Sequence, residues 1–204
     1  MTQLALLGSL AEAPSAHGVL DFWPTPDWLA RRMIEWADPA PGSRIVEPSA
    51  GDGALVRAAR EHMRTRGDAW IEAVDVNPAH KMSLHDAGAD RVTIGDWPTF
   101  ASRAPLDSGG GPAFDLCFAN PPFSLVATHL LPMATVAKRA VVLLPLTALE
   151  GAERYASAWR HLRLTRLAVL VKRPRFGGKH SPATAYCVAE IERGAQRMTR
   201  VEWW

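Results

Sequence analysis

The run Phe114-Asp115-Leu116-Cys117-Phe118-Ala119 passes straight into Asn120-Pro121-Pro122-Phe123, and this junction constrains the fold more than any other stretch of the chain. The apolar run reads as a strand buried on both faces, as in a parallel sheet. Two consecutive prolines end it, because neither donates a backbone hydrogen bond and each holds the chain extended. An amide and an aromatic are thereby set at the carboxyl end of a strand, the edge where open α/β sheets bind ligands. The carbonyls of Asn120 and Pro121 are left to accept from a ligand. An amide oxygen beside such a carbonyl can take both hydrogens of an exocyclic amine, with Phe123 stacked on the ring that carries it. The alternative is a tight strand-to-helix turn whose Phe belongs to the core.

A second strand runs into a Gly-rich turn at Ser43-Arg44-Ile45-Val46-Glu47-Pro48-Ser49-Ala50-Gly51-Asp52-Gly53, and a helix opens at Ala54. Gly51 and Gly53 let backbone approach a ligand closely. The turn has neither the spacing of a dinucleotide fingerprint nor the Lys of a phosphate loop, and Glu47 and Asp52 would repel a phosphate. Acids around a Gly turn suit a cationic ligand bearing amino and sulfonium groups. Next, Trp70-Ile71-Glu72-Ala73-Val74-Asp75-Val76-Asn77-Pro78 ends a strand in a carboxylate about 20 residues past the turn, where an acid can bind ribose hydroxyls. Arg91-Val92-Thr93-Ile94-Gly95-Asp96-Trp97 gives a third strand ending in Gly-Asp.

In this order and spacing the motifs resemble those of class I S-adenosylmethionine-dependent methyltransferases, specifically the amino-methyltransferases that act on adenine in DNA. The resemblance implies that Glu47, Pro48, Ser49, Ala50, Gly51, Asp52 and Gly53 form the cofactor loop and that Asp75 binds ribose. It sets Asp96 near the cofactor adenine, with Val76, Gly95 and Trp97 beside them, and makes Asn120 to Phe123 the catalytic tetrapeptide, Asn120 also bordering the cofactor. Phe22-Trp23-Pro24-Thr25-Pro26-Asp27-Trp28 resembles the family's amino-terminal cofactor motif, a Thr-Pro turn closing over the methionine part, which assigns Trp23, Thr25 and Pro26 to the cofactor. The motif order matches the gamma-type arrangement. The implied fold is α/β and Rossmann-like, a seven-stranded, mostly parallel sheet with helices on both faces and a terminal antiparallel strand. Only about 80 residues follow Phe123, which leaves no room there for a separate target-recognition domain, as in compact phage-type adenine methyltransferases.

Charge divides the chain. Residues 1–115 carry 10 Lys and Arg against 16 Asp and Glu, a net of −6, whereas residues 116–204 carry 13 against 5, a net of +8. Between Arg154 and Ala189 there is no acid, but there are Arg154, Arg160, Arg163, Arg166, Lys172, Arg173, Arg175 and Lys179. Such a patch attracts a polyanion with salt-sensitive, sequence-blind affinity. Around Arg160 to Arg166 it reads equally well as a solvated helix face. Lys172 to Pro182, with its glycines, prolines and Phe176, reads as a mobile loop suited to a nucleic-acid backbone, with Lys172, Arg173, Arg175, Lys179 and His180 as contacts. By the family resemblance Phe176 forms a second wall of a flipped-base pocket opposite Phe123; otherwise it is a loop anchor.

The remaining pattern predicts helices over Pro26–Ala37, Gly53–Arg66, Pro78–Ala87, Ser124–Ala137 and Gly151–Leu162. It predicts further strands over Arg139–Leu149, Leu167–Lys172 and Ala183–Ile191, a flexible loop over Ala101–Ala113, and a partly disordered tail over residues 1–20 ahead of one catalytic domain, 21–204. Nothing approaches the ~18 apolar residues of a membrane span. Cys117 and Cys187 sit in predicted strands, and neither a disulfide nor a metal site is indicated; His80, His85, His129 and His180 read as solvated or structural. The expectation is a soluble, cytoplasmic monomer, in a bacterial or phage-infected cell, that flips adenine out of double-stranded DNA. It transfers a methyl from S-adenosyl-L-methionine by direct displacement, with low sequence selectivity. The alternatives are a cytosine amine, adenine in RNA, a protein glutamine, or a non-catalytic DNA-binding decoy.

Overall fold

Apolar runs that must be covered on both faces can be buried only between two layers of helix, and this is how the chain folds. The computed structural model describes residues 23–104, 106, 108–176 and 184–204. Eight strands form one sheet: β1 (Arg44–Glu47), β2 (Trp70–Asp75), β3 (Arg91–Ile94), β4 (Phe114–Ala119), β5 (Ala137–Pro145), β6 (Leu162–Val169), β7 (Tyr186–Arg193) and β8 (Arg200–Trp203). Their spatial order is β3-β2-β1-β4-β5-β7-β6-β8. Only β7 runs against its neighbours, pairing antiparallel with β5 and β6, while every other pairing is parallel.

The expected seven-stranded sheet is therefore corrected to eight. The extra strand β8 pairs parallel with β6 at the sheet edge. It is held by partners far away in sequence: Trp36 Nε1 donates to Glu202, and Trp204 meets Trp36 edge-on at 5.2 Å with the Arg32 guanidinium over its ring at 4.9 Å. Gln196 and Thr199 bond the backbone of Leu164, where the β6–β7 register shifts, and so return the chain to the edge.

Alternation along β5 supplies both cores. Val141 and Leu143 face α1 (Asp27–Ala37) and α2 (Ala54–Arg64), with Leu29, Met33, Leu55 and Met63, none more than 1% exposed. Val142 and Leu144 face the other layer, which includes α4 (Trp97–Arg103) and α5 (Val126–Val136). Between these come α3 (Lys81–Asp86), after a 3-10 turn at Pro78–His80, and later α6 (Ala152–Ser157).

Several boundaries differ from expectation. The predicted loop from Ala101 contributes its first three residues to α4, which starts one turn earlier because the Asp96 carboxylate caps the Thr99 N–H at 3.0 Å with Pro98 in the first turn. The predicted helix to Leu162 stops at Ser157, a 3-10 turn spans Trp159–His161, and β6 begins at Leu162, five residues before the predicted strand. Arg163 and Arg166 thus lie on a strand, not a helix face. Arg163 pairs with Glu192, and Arg166 lies over the Trp36 ring at 4.0 Å while bonding Glu190 at 2.5 Å. Burial pushes the Glu190 carboxyl up, but hydrogen bonds from Arg166 and Thr165 and the charges of Arg166 and Arg139 outweigh it and hold it below the ordinary range. The predicted tail, residues 1–20, lies outside the described residues. Cys117 and Cys187 are buried and free, and no metal-holding cluster occurs among the described residues. No helix among them is long and apolar enough to cross a membrane.

Candidate active site

In this strand order the chain leaves β1 towards β2 on one side and meets β4 on the other, so a crevice opens at the carboxyl ends of β1 and β4. Glu47, Asp75 and Asn120 all stand at that edge, closing or following β1, β2 and β4.

The Gly-rich turn is held against β2. Ala50 N–H donates to the Val74 carbonyl at 3.0 Å, and Gly51 N–H donates to Asp75 Oδ2 at 2.7 Å. Gly53 has a φ of +83°, and a Cβ there would fall 2.7 Å from the Cβ of Ala87, so only glycine lets α2 start this close to α3. Asp52 accepts from Ala54 N–H at 3.2 Å and closes the turn onto the helix. Pro48 and Ala50 are buried, and Ser49 is half-buried.

Asp75 does more than the sequence reading assigned it. Besides Gly51, it accepts from Asn77 N–H at 2.8 Å, and His80 Nδ1 lies 3.2 Å from the same oxygen. A carboxylate has about four acceptor positions, so these contacts leave one for a ligand. His80, read from sequence as solvated or structural, is thus drawn into the site; the signal was the turn at Asn77-Pro78, which folds the chain back within five residues. Val76 and Ile94 are 47% and 37% exposed at the ends of β2 and β3. Between those ends Gly95 N–H donates to the Asp75 carbonyl at 2.9 Å. Asp96 is exposed, but Trp97, assigned beside the cofactor, is 2% exposed in the core and donates to the His129 carbonyl at 3.4 Å.

Glu47 is 3% exposed, and its Oε2 has no hydrogen-bond partner among the described residues. Burial pushes its carboxyl well above the ordinary value of 4.5, and repulsion from Asp52 and Asp75 adds to this. With the folded pKa above the unfolded one, the native state binds the extra proton. Stability is therefore lost as pH rises through the window that begins near 4.5. Glu47→Gln is expected to raise the melting temperature of the ligand-free protein at pH 7–8 and to leave it unchanged at about pH 4. Thermal unfolding across that range checks it; an equal shift at both ends would refute the assignment.

At β4 the Asn120 amide nitrogen donates to the Trp23 carbonyl at 2.8 Å and to Thr25 Oγ1 at 3.0 Å, while its oxygen is buried without a partner among the described residues. Pro26 precedes α1, and its carbonyl accepts from Leu29 and Ala30 at 2.9 and 3.0 Å. Pro121 is buried, Pro122 and Phe123 half-buried. Phe123 lies among Trp23 (6.2 Å, stacked), Phe176 (5.9 Å, edge-on) and Tyr186 (5.4 Å). Phe176 is 5% exposed and in direct edge contact with Phe123, so the two rings do not form facing walls with a base-sized gap. Phe176 also meets Trp23 edge-on at 5.8 Å and Tyr186 at 5.2 Å, so the four rings form one packed cluster. Tyr186, the first residue of β7, joins this cluster without a local sequence signal.

The basic residues separate into two groups. Arg139, Arg163 and Arg166 are paired with Glu190 and Glu192. Lys172, Arg173 and Arg175 are exposed and follow β6, whose carboxyl end lies at the same sheet edge as Asn120 because β6 runs parallel to β4. Lys179 and His180 lie outside the described residues.

No family model matches the chain. Over 105 residues it is 32% identical to the type II methyltransferase M.TthHB8I of Thermus thermophilus, a match taking in 50% of this chain and 21% of that protein. Its fold is similar to the methyltransferase subunit of a type I restriction-modification system from Streptococcus thermophilus (TM-score 0.60, 13% identity, 84% of this chain and 45% of that one). It is also similar to a TehB-like SAM-dependent methyltransferase from Corynebacterium glutamicum (TM-score 0.52, 17% identity, 81% and 87%). The chain spans about a fifth of the curated relative and under half of the type I subunit. Its fold is that of class I S-adenosylmethionine-dependent methyltransferases.

Proposed function

We propose that the protein transfers the methyl group of S-adenosylmethionine to the exocyclic amine of adenine turned out of double-stranded DNA, with little sequence selectivity. One observation carries this reading: two buried acceptors without partners among the described residues, Glu47 Oε2 and Asn120 Oδ1, stand at the carboxyl ends of the adjacent strands β1 and β4. Unmatched buried acceptors are costly, and here one suits a cation and the other a neutral amine. The identity to a type II methyltransferase supports the same reaction class.

The residues present fit the cofactor. Glu47 offers a carboxylate to its ammonium group, Asp75 an acceptor to its ribose, Gly51 close backbone approach, and the exposed Val76 and Ile94 apolar surface to its adenine. When bound, S-adenosylmethionine supplies an electrophilic methyl carried on a sulfonium. The chain's part is to prepare the nucleophile. The amine lone pair of adenine is delocalised into the ring; hydrogen bonds from the amine to Asn120 Oδ1 and to the Pro121 carbonyl favour a pyramidal nitrogen whose lone pair points out of the plane. Stacking on Phe123 offsets part of the few kcal/mol needed to flip the base, and requires the Trp23 ring that now lies on Phe123 to move aside. The surplus proton leaves to water, so no general base is assigned.

Lys172, Arg173 and Arg175, with Lys179 and His180 beyond the described residues, supply phosphate contacts. Neutralising Lys172, Arg173, Arg175 and Lys179 together is expected to weaken all DNA sequences about equally and to lower the slope of log affinity against log salt by about 3–4. Salt titrations of binding check it, and loss confined to one sequence would contradict it. The reaction itself is tested with labelled S-adenosylmethionine and duplex DNA, RNA or protein, the product being identified by mass. N6-methyladenine in DNA is expected; methylcytosine, an RNA or protein product, or no product would overturn the reading. So would confinement of methylation to one site of about four or more defined base pairs, as to selectivity.

A further inference from the structure

Both hydrogens of the Asn120 amide are taken by one short segment, through the Trp23 carbonyl and Thr25 Oγ1. A backbone carbonyl only accepts, so the Trp23 contact admits just one of the two orientations of the amide. In that orientation Oδ1 is buried with no partner among the described residues. Donation of both N–H groups draws electron density onto the oxygen and strengthens it as an acceptor. The segment is stiffly mounted. Thr25 is 7% exposed, and the first turn of α1 behind it is anchored in the core by Leu29 and Ala30, both 0% exposed.

We propose that Thr25 is a positioning residue for Asn120. Together with the Trp23 carbonyl it holds the amide nitrogen turned away, so that Oδ1 alone is presented to the substrate amine. This rests on the transfer reaction proposed above and differs from the cofactor contact that the family resemblance assigns to Thr25.

Thr25→Val preserves the shape and removes the acceptor. The single-turnover rate is expected to fall about tenfold, the equivalent of one hydrogen bond, with S-adenosylmethionine affinity unchanged within about twofold. In nitrogen-15 spectra one of the two Asn120 side-chain amide protons should lose its protection from solvent exchange. Thr25→Ser should restore both rate and protection, and in an Asn120→Ala background Thr25→Val should cost nothing more. Weakened cofactor binding with an unchanged rate and unchanged amide signals would overturn the proposal and make Thr25 a cofactor contact. The wild-type signals decide independently of turnover and of whether the variant folds. Protected Asn120 protons in a protein that methylates nothing would sink the proposed reaction and leave the positioning role standing, whereas unprotected protons in an active enzyme would sink the positioning role.

Discussion

Asn120→Ala is expected to slow methyl transfer by about a hundredfold or more while leaving S-adenosylmethionine affinity nearly unchanged. The reason is the environment of Oδ1. It is buried, held in place through the two bonds made by Nδ2, and without a partner among the described residues. An acceptor so placed stabilises charge that develops on the amine during the reaction, and contributes little to holding the cofactor. Truncation also releases the Trp23–Thr25 segment from β4, so a modest loss of thermal stability accompanies the loss of rate. Single-turnover kinetics with saturating cofactor, paired with calorimetric titration, separate the two effects. A variant retaining most of the wild-type rate would remove Asn120 from the chemistry.

The second large effect is expected at Asp75. Asp75→Ala should weaken cofactor binding by roughly 1.5–3 kcal/mol, the range for losing hydrogen bonds to a charged group, or about 10- to 150-fold in Kd. Its carboxylate serves two ends at once, accepting from Gly51 and Asn77 and leaving capacity for a ribose hydroxyl. Removing it strands the Gly51 N–H and loosens the turn that Glu47 and Gly53 depend on. Asp75→Asn keeps one oxygen and should lie between the wild type and the Ala variant in both affinity and melting temperature. Calorimetry showing unaltered affinity in a folded Ala variant would exclude Asp75 from the site.

Both residues could be placed from sequence because local rules act on them. A buried strand followed by Pro-Pro, or by Asn-Pro, must end where it does, and strand ends in a parallel sheet share an edge. Trp97 had the same kind of neighbourhood, a strand ending in Gly-Asp, but Asp96 caps a helix there and turns the indole into the core. The choice between loop and cap depends on what waits across the sheet. Arg163 and Arg166 read as members of a basic face because their acids, Glu190 and Glu192, lie more than 20 positions away on β7. Phe176 was legible as an aromatic in a loop, yet its partners Trp23 and Phe123 come from distant segments, and Tyr186 opens the strand after the loop. The short β8 carries no apolar run at all; partners on β6 and α1 make it a strand, and no local pattern announces them.

The contact of Trp36 with Glu202 joins residues 166 positions apart. Contacts of such separation bear their loop-closure entropy before they return any stabilisation, which puts the docking of β8 among the late events of folding. Because synthesis runs from the amino end, α1 exists long before its cover does, and the indole of Trp36 stays uncovered until β6 brings Arg166 and β8 brings Glu202 and Trp204. The nascent chain thus carries an exposed aromatic beside an unfinished sheet edge until those strands are made, the condition under which chains misassociate and chaperones bind.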